Sequence, residues 1–149
     1  MTNLHNKLNQ LLADTAVLYA KMHNYHWNIR GPQFFQVHEK TEEIYDYLAK
    51  NYDDLAELNL QKGGTPLVTL RQILEVSKIE EEERTKFTAD EVIRSVLKDL
   101  EYLRKSYKEL SIEADHDSTV SSYAEDQVKH LDKSIWMLKS NFDYKDLPI

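Results

Sequence analysis

Apolar residues recur at steps of three and four along most of the chain, which is the period of an α-helix with one buried face. The first stripe predicts a helix that runs from near the amino terminus to the residues before Gly31 and Pro32. This mostly apolar stripe consists of Leu4, Leu8, Leu11, Thr15, Leu18, Met22 and His26. Gly31 and Pro32 should end the helix, because the pair favours a turn and Pro fits the first turn of a new helix.

A second stripe predicts a helix between Gln33 and Gln61, which ends at the sequence Gly63-Gly64-Thr65-Pro66. Its members are Val37, Ile44, Leu48, Leu55 and Leu58. Because so short a turn joins the first two helices, they should pack antiparallel. That packing would bring His26 close to His38.

The remaining chain predicts a short helix and two long ones. Residues 67–77 form the short connecting helix, and Thr88 with Glu91 has the spacing of a capping box that starts the third long helix. Ser122 and Glu125 offer another capping box for the last helix. The apolar positions of these two long helices are Val92, Val96, Leu100, Leu103, Tyr107 and Leu110, then Val128, Leu131, Ile135, Leu138 and Phe142.

Four long helices with a short helix in the crossover between the second and the third predict an all-α protein, a four-helix bundle of the ferritin-like kind. The length of 149 residues fits a single domain over residues 1–149. The low content of Gly (3) and Pro (3) favours helices. No apolar run approaches a membrane span, and the amino terminus lacks a signal-peptide pattern, so we expect a soluble cytoplasmic protein.

The amino-acid composition limits the metals and partners that the protein can bind. The chain has no Cys, so His and carboxylate side chains must hold any transition metal, which suits iron, manganese or zinc. A formal net charge of −7 favours the attraction of cations and argues against nucleic-acid phosphates as the default partner.

The spacing of His38 and Asp53 predicts a metal site shared between subunits. Fifteen residues of helix separate them by about 22 Å along the axis but by only about 60° around it. One chain therefore cannot bring both to one ion, whereas two antiparallel copies of the helix can. Each site would combine His26 and His38 of one subunit with Asp53 and Glu57 of its partner.

Each candidate ligand also has an ordinary structural interpretation. His26 could be a packed core residue, and His38 a surface or capping residue at a helix start. Asp53 and Glu57, four residues apart, resemble the acidic pairs that are abundant on solvated helices. Glu42, one turn after His38, is a further candidate ligand with the same alternative.

Other residues of interest are weaker candidates. Glu113 and His116 have a di-iron ligand spacing, but no second copy exists, so we expect a solvated turn. We interpret His23 as structural and Trp136 as a core residue. Trp27, next to His26, could exchange an electron with a neighbouring redox metal.

Several motifs resemble the Dps mini-ferritins, the DNA-binding proteins from starved cells, and most of all their neutrophil-activating branch. They are His-Asn-Tyr-His-Trp-Asn-Ile-Arg-Gly (residues 23–31), Phe-Phe-Gln-Val-His (34–38), Tyr-Asp-Asp-Leu-Ala-Glu (52–57) and Ser-Ile-Trp-Met-Leu (134–138). The resemblance covers almost the whole chain. It implies a hollow dodecamer that oxidises ferrous iron at dimer interfaces, preferably with hydrogen peroxide rather than oxygen, and stores ferric mineral.

The resemblance also implies residue roles. His26 and His38 of one subunit and Asp53 and Glu57 of the other would be the iron ligands. Many relatives carry Asp at the position of Glu42, which leaves direct ligation by this longer side chain open.

The family has acidic pores at threefold axes, and Asp117 and Asp126 match those positions, although Ser122 stands where some relatives have another Asp. Two rival functions remain. One is a DNA-coating protein, although the Lys-rich tail of some DNA-condensing relatives is missing here; the other is a secreted immunomodulator.

Overall fold

The computed structural model describes residues 2–142, and the regular structure of these residues is helical. The helices follow in the order α1 (Thr2–Asn28), α2 (Phe34–Gln61), α3 (Leu70–Val76), α4 (Ala89–Glu113) and α5 (Ser118–Lys139). Four long helices and a short crossover helix were predicted, and both predictions are confirmed. The predicted domain ends, residues 1 and 149, lie outside the described residues.

The chain divides into two compact units, Met1–Val92 and Ile93–Ile149. The first holds α1, α2, α3 and the start of α4, and the second holds the rest of α4 with α5. That residues 1–149 form a single domain stays a prediction. No helix within residues 2–142 combines the length and the apolar character needed to cross a membrane.

In the first unit, α1 packs against α2. The buried apolar residues of these two helices include Leu8, Leu11, Leu18, Met22, Ile44, Leu48 and Leu55, each less than 6% exposed. Each such side chain stabilises the fold by about 1.5–3 kcal/mol when fully buried. The turn between the helices needs Gly31, whose φ of +113° lies in the region that only glycine adopts easily.

A buried carboxylate attaches the crossover to α1. Asp14 is fully buried, and its Oδ1 accepts hydrogen bonds from the Lys78 backbone N–H (2.7 Å) and the Ser77 hydroxyl (3.0 Å). These bonds hold the residues that follow α3. The other side of the crossover remains apolar and exposed in the chain, since Leu70 is 77% exposed and Val68 is 74% exposed.

In the second unit, two ion pairs join α4 to α5. Arg104 donates to Asp132 at 2.8 Å, and Lys139 contacts Glu101 at 3.2 Å. All four side chains are partly exposed, so each pair adds at most about 1 kcal/mol to stability.

The start of α4 agrees with the sequence, whereas that of α5 does not. The Thr88 hydroxyl accepts from the Glu91 backbone N–H at 3.2 Å, as the capping box predicts. The capping box predicted at Ser122 is wrong, because α5 already begins at Ser118, where the Asp117 carboxylate accepts from two backbone N–H groups. The core position predicted for Trp136 is also wrong, since 65% of this side chain is exposed in the chain.

Candidate metal centre

Two imidazoles meet where α1 ends and α2 begins. His26 lies in the last turn of α1 and is 6% exposed, and His38 lies in the second turn of α2. Their rings stack with centroids 3.6 Å apart and an interplanar angle of 16°. The predicted proximity of His26 and His38 is therefore confirmed.

Reciprocal hydrogen bonds fix the orientation of both rings. His26 Nδ1 lies 2.7 Å from the His38 carbonyl oxygen, and His38 Nδ1 lies 2.8 Å from the His26 carbonyl oxygen. A carbonyl oxygen only accepts, so each Nδ1 carries a hydrogen and donates it. In each neutral ring the lone pair is then on Nε2, the atom left to bind a metal.

Two side chains of α2, about one turn after His38, also lie close to His26. The buried Thr41 hydroxyl lies 3.2 Å from His26 Nδ1 and donates to the Val37 carbonyl at 2.7 Å. Glu42 Oε1 lies 3.9 Å from His26 Nε2. Two ligand atoms of one tetrahedral metal lie roughly 3.4 Å apart. Glu42 therefore needs only a small shift to share an ion with His26.

The carboxylates Asp53 and Glu57 lie at the far end of α2. Because α2 is continuous from Phe34 to Gln61, they are about 22 Å and about 28 Å from His38 along the axis. Both are exposed. Within residues 2–142 no three His, Asp or Glu side chains come close enough together to hold a metal ion. One chain therefore brings His26 close to His38 and Glu42 close to His26 without completing a metal site, and it leaves Asp53 and Glu57 far away.

An aromatic cluster adjoins the imidazoles. The rings of Tyr45 and His26 are nearly perpendicular with centroids 5.2 Å apart, and Tyr45 stacks on His23 at 3.8 Å. Desolvation raises the pKa of the Tyr45 phenol, and the Glu42 and Asp46 carboxylates raise it further. Trp27 is 65% exposed, and its ring centroid lies 5.6 Å from that of His23.

The two acidic residues predicted to line a pore lie at the start and in the middle of α5. Asp117 is its N-cap, with Oδ1 3.1 Å from the Thr119 backbone N. Asp126 is exposed in the middle of the helix. A pore needs further copies of the chain, so this role stays a prediction. His116 and Glu113, the weaker metal candidates, are exposed at the turn between α4 and α5.

Two residues of interest were missed from the sequence. Thr41 is three residues after His38, and a hydroxyl at that spacing can reach back to the preceding helical turn. Lys50 precedes Asp53 by three residues and Glu57 by seven, and it pairs with Asp54. Helical spacing alone could have placed Lys50 near Asp53 and on the same side of α2 as Glu57.

The helices are those of a ferritin-like protein, and the model of the ferritin-like domain family matches residues 5–145. The DNA protection during starvation protein of Helicobacter pylori strain J99 is 44% identical over 136 residues, which cover 90% of this chain and 94% of the relative. This chain belongs to the Dps family.

Solved structures agree with this assignment. The crystal structure of Helicobacter cinaedi CAIP matches with a TM-score of 0.92 at 44% identity and covers 94% of this chain and 99% of that one. Dps from Listeria innocua soaked with 10 mM zinc matches with a TM-score of 0.88 at 32% identity, covering 92% and 94% of the two chains. The predicted all-α, ferritin-like fold is thus confirmed.

Proposed function

We propose that the protein is a ferroxidase and iron store, in which each iron site forms between two antiparallel subunits. One observation carries the proposal. His26 and His38 both use Nδ1 for a backbone hydrogen bond, which leaves Nε2 of each ring as the candidate metal-binding atom, while Asp53 and Glu57 lie about 22–28 Å from His38 along the same helix.

A twofold axis near the middle of α2 would bring the imidazoles of one subunit to the carboxylates of the other. It would superpose the imidazole end of one α2 on the carboxylate end of the other, and so generate two identical sites. The exposed apolar residues Val68, Leu70 and Leu74 of the crossover support burial against further copies. We extend this pairing to a hollow homododecamer in the cytoplasm, in line with the resemblance to the Dps proteins.

The ligand set suits ferrous iron as a substrate. Neutral imidazoles and carboxylates bind ferrous and ferric iron, and also zinc or manganese. One structure of the Listeria innocua relative was obtained after a zinc soak, which supports zinc as a probe of metal binding here. Glu42 adds a third carboxylate beside His26.

The proposed reaction removes ferrous iron and peroxide together. Two ferrous ions each lose an electron, and hydrogen peroxide takes up both electrons and two protons to give two molecules of water. The imidazoles and carboxylates hold iron through the change of charge, and ferric mineral collects in the cavity. Asp117 and Asp126 would line the pore through which iron arrives.

Trp27 would serve as an auxiliary electron donor. It adjoins His26 in sequence and contacts His23, which stacks on Tyr45 next to the imidazole pair. An indole in this position can supply an electron when only one iron is present to reduce peroxide.

DNA protection is the second candidate function, because the names of relatives refer to it. The formal charge of −7 per chain opposes adhesion to phosphates at neutral pH. No observation on this structure favours the third alternative, a secreted immunomodulator.

Co-expression of two inactive variants tests the shared site. His26→Ala/His38→Ala removes one half of every site, and Asp53→Ala/Glu57→Ala removes the other half. A mixed pair combines two intact halves at one site and two damaged halves at the second. If the variants mix at random, about half of the pairs are mixed, and one site of each mixed pair is intact. Peroxide-dependent iron oxidation should therefore return at about a quarter of the wild-type sites.

Controls separate this result from assembly defects. Each variant carries a different affinity tag, so that tandem purification yields only mixed particles, and scattering checks their size. His116→Ala, in an exposed turn, should retain full activity. Mixed particles of normal size without recovered activity would contradict the shared site.

A further inference from the structure

Lys50 lies on α2, three residues before the proposed ligand Asp53. Lys50 Nζ donates to both carboxylate oxygens of Asp54, at 3.2 Å to Oδ1 and 3.0 Å to Oδ2. The lysine side chain is 76% exposed and that of Asp54 is 30% exposed. The pair therefore lies on the surface of α2 rather than in the core.

Helical geometry sets this ammonium near Asp53 and on the same side of α2 as Glu57, which lies about 10 Å further along the axis. Around the axis Lys50 is about 60° from Asp53 and about 20° from Glu57, and Asp53 is less than one turn further along. Asp54 lies about 100° from Asp53 around the axis, on the side away from His38. The bond to Asp54 thus draws the ammonium away from Asp53.

The neighbouring carboxylates stabilise the positive charge of Lys50. Its hydrogen bond to Asp54 raises the pKa of Lys50, and the Asp54, Asp53 and Glu57 carboxylates raise it further. Lys50 therefore stays positively charged under physiological conditions, close to where a metal cation would bind.

We propose that Lys50 tunes the proposed iron site: its ammonium weakens cation binding at Asp53 and Glu57, and Asp54 tethers it so that Asp53 stays free to bind. This inference rests on the proposed shared site. Because repulsion scales with the charge of the ion, Lys50 opposes ferric iron more than ferrous iron. It therefore favours release of the oxidised product towards the mineral.

Zinc binding to the assembled, metal-free particle measures the effect without oxidation. Lys50→Gln should lower the zinc Kd about two- to fivefold at low ionic strength, and high ionic strength should shrink the difference. Asp54→Asn should raise the Kd, because it removes a negative charge and frees Lys50 to pair with Asp53.

The double variant Lys50→Gln/Asp54→Asn isolates the tether. Asp54→Asn should raise the zinc Kd by some factor in the parent, and by at most half that factor in the Lys50→Gln background. A double-mutant cycle measures this difference. Lys129→Gln is the matched control, since Lys129 is exposed on α5 and its replacement also changes the formal charge from −7 to −8 (−7 − 1 = −8). Its zinc Kd should equal that of the parent.

A kinetic readout tests product release. After a first addition of ferrous iron, the fast oxidation phase should recover more slowly in Lys50→Gln than in the parent or in Lys129→Gln. Equal zinc affinities for Lys50→Gln, Lys129→Gln and the parent would overturn the inference. If instead His26→Ala/His38→Ala left the parent's zinc binding unchanged, the proposed shared site itself would fail.

Discussion

His26 and His38 each bond to the backbone carbonyl of the other, at Nδ1–oxygen distances of 2.7 and 2.8 Å. The last turn of α1 and an early turn of α2 are thereby joined, and these bonds leave Nε2 of both imidazoles unused. Since neither carbonyl can donate, the same bonds that connect the helices also fix the tautomer of both rings.

The tautomers can be observed directly. In metal-free particles at about pH 8, where free histidine is neutral, His26 and His38 should carry hydrogen on Nδ1. Solid-state NMR of ¹⁵N-histidine-labelled protein reports the protonated nitrogen, and His26→Ala and His38→Ala assign the signals. Zinc should then shift Nε2 of both residues and leave the exposed His116 unchanged. Hydrogen on Nε2 of either residue would contradict the geometry.

Two adjacent glycines after α2 should respond differently to substitution. A Cβ at Gly64 would collide with Asn59 Oδ1 and the His5 ring, whereas Gly63 has open space and a φ of +80°. Neither neighbour can move freely, since the Asn59 amide bonds to Asn9 and the His5 ring bonds to the Lys62 carbonyl.

Gly64→Ala should therefore lower the free energy of unfolding by about 2–3 kcal/mol. Gly63→Ala should cost about 1 kcal/mol, from backbone strain alone. Thermal unfolding followed by circular dichroism compares the two variants at equal protein concentration. A Gly63→Ala midpoint at or below that of Gly64→Ala would show that the collision at Gly64 is relieved.

Periodicity predicted the helices because a single buried face repeats every 3.6 residues, and every member of the stripes that contain Leu18 and Leu48 is buried, at 7% exposure or less. The start of α5 was misplaced because both Asp117 and Ser122 are suitable N-cap residues. Only the path of the backbone in the structure shows that Asp117 accepts the bonds. Trp136 was misplaced because being apolar does not determine on which side of a helix a residue lies.

The candidate site was predictable to a similar extent. His26 and His38 are brought together by one short turn, which the sequence displays as Gly31 and Pro32. The contribution of Thr41 was not foreseen, because hydroxyl residues are frequent on helices and only its distance from His26 singles it out. Lys50 was overlooked because charged residues are equally frequent there, although helical spacing already places it near Asp53.

DNA binding should be weak at neutral pH and ordinary salt. A dodecamer would carry 12 × −7 = −84 formal charges, and binding through phosphates weakens steeply as salt rises. Gel retention of assembled particles with linear duplex DNA, between low and moderate salt, measures this. Tight and salt-resistant retention would show that a clustered basic surface outweighs the net charge, whereas binding only at acidic pH agrees with the prediction.

The roles of Asp117 as helix cap and as pore residue can be separated by Asp117→Asn/Asp126→Asn. Asparagine is as good an N-cap as aspartate, so the Asp117 bonds to the start of α5 should survive while both charges disappear. If three copies of each residue line a pore, their carboxylates concentrate cations there, and salt screens the effect.

Iron uptake by the double variant should be slower at low salt by a factor of about three to ten, with a smaller difference at high salt. Assembly and zinc affinity at the imidazole site should match the parent. Asp115→Asn is the matched control, because Asp115 is an exposed carboxylate in the turn before α5 and was not assigned to the pore. Uptake that is equal to the parent at every salt concentration, or slowed as much by Asp115→Asn, would remove the pore role and leave Asp117 as the cap of α5.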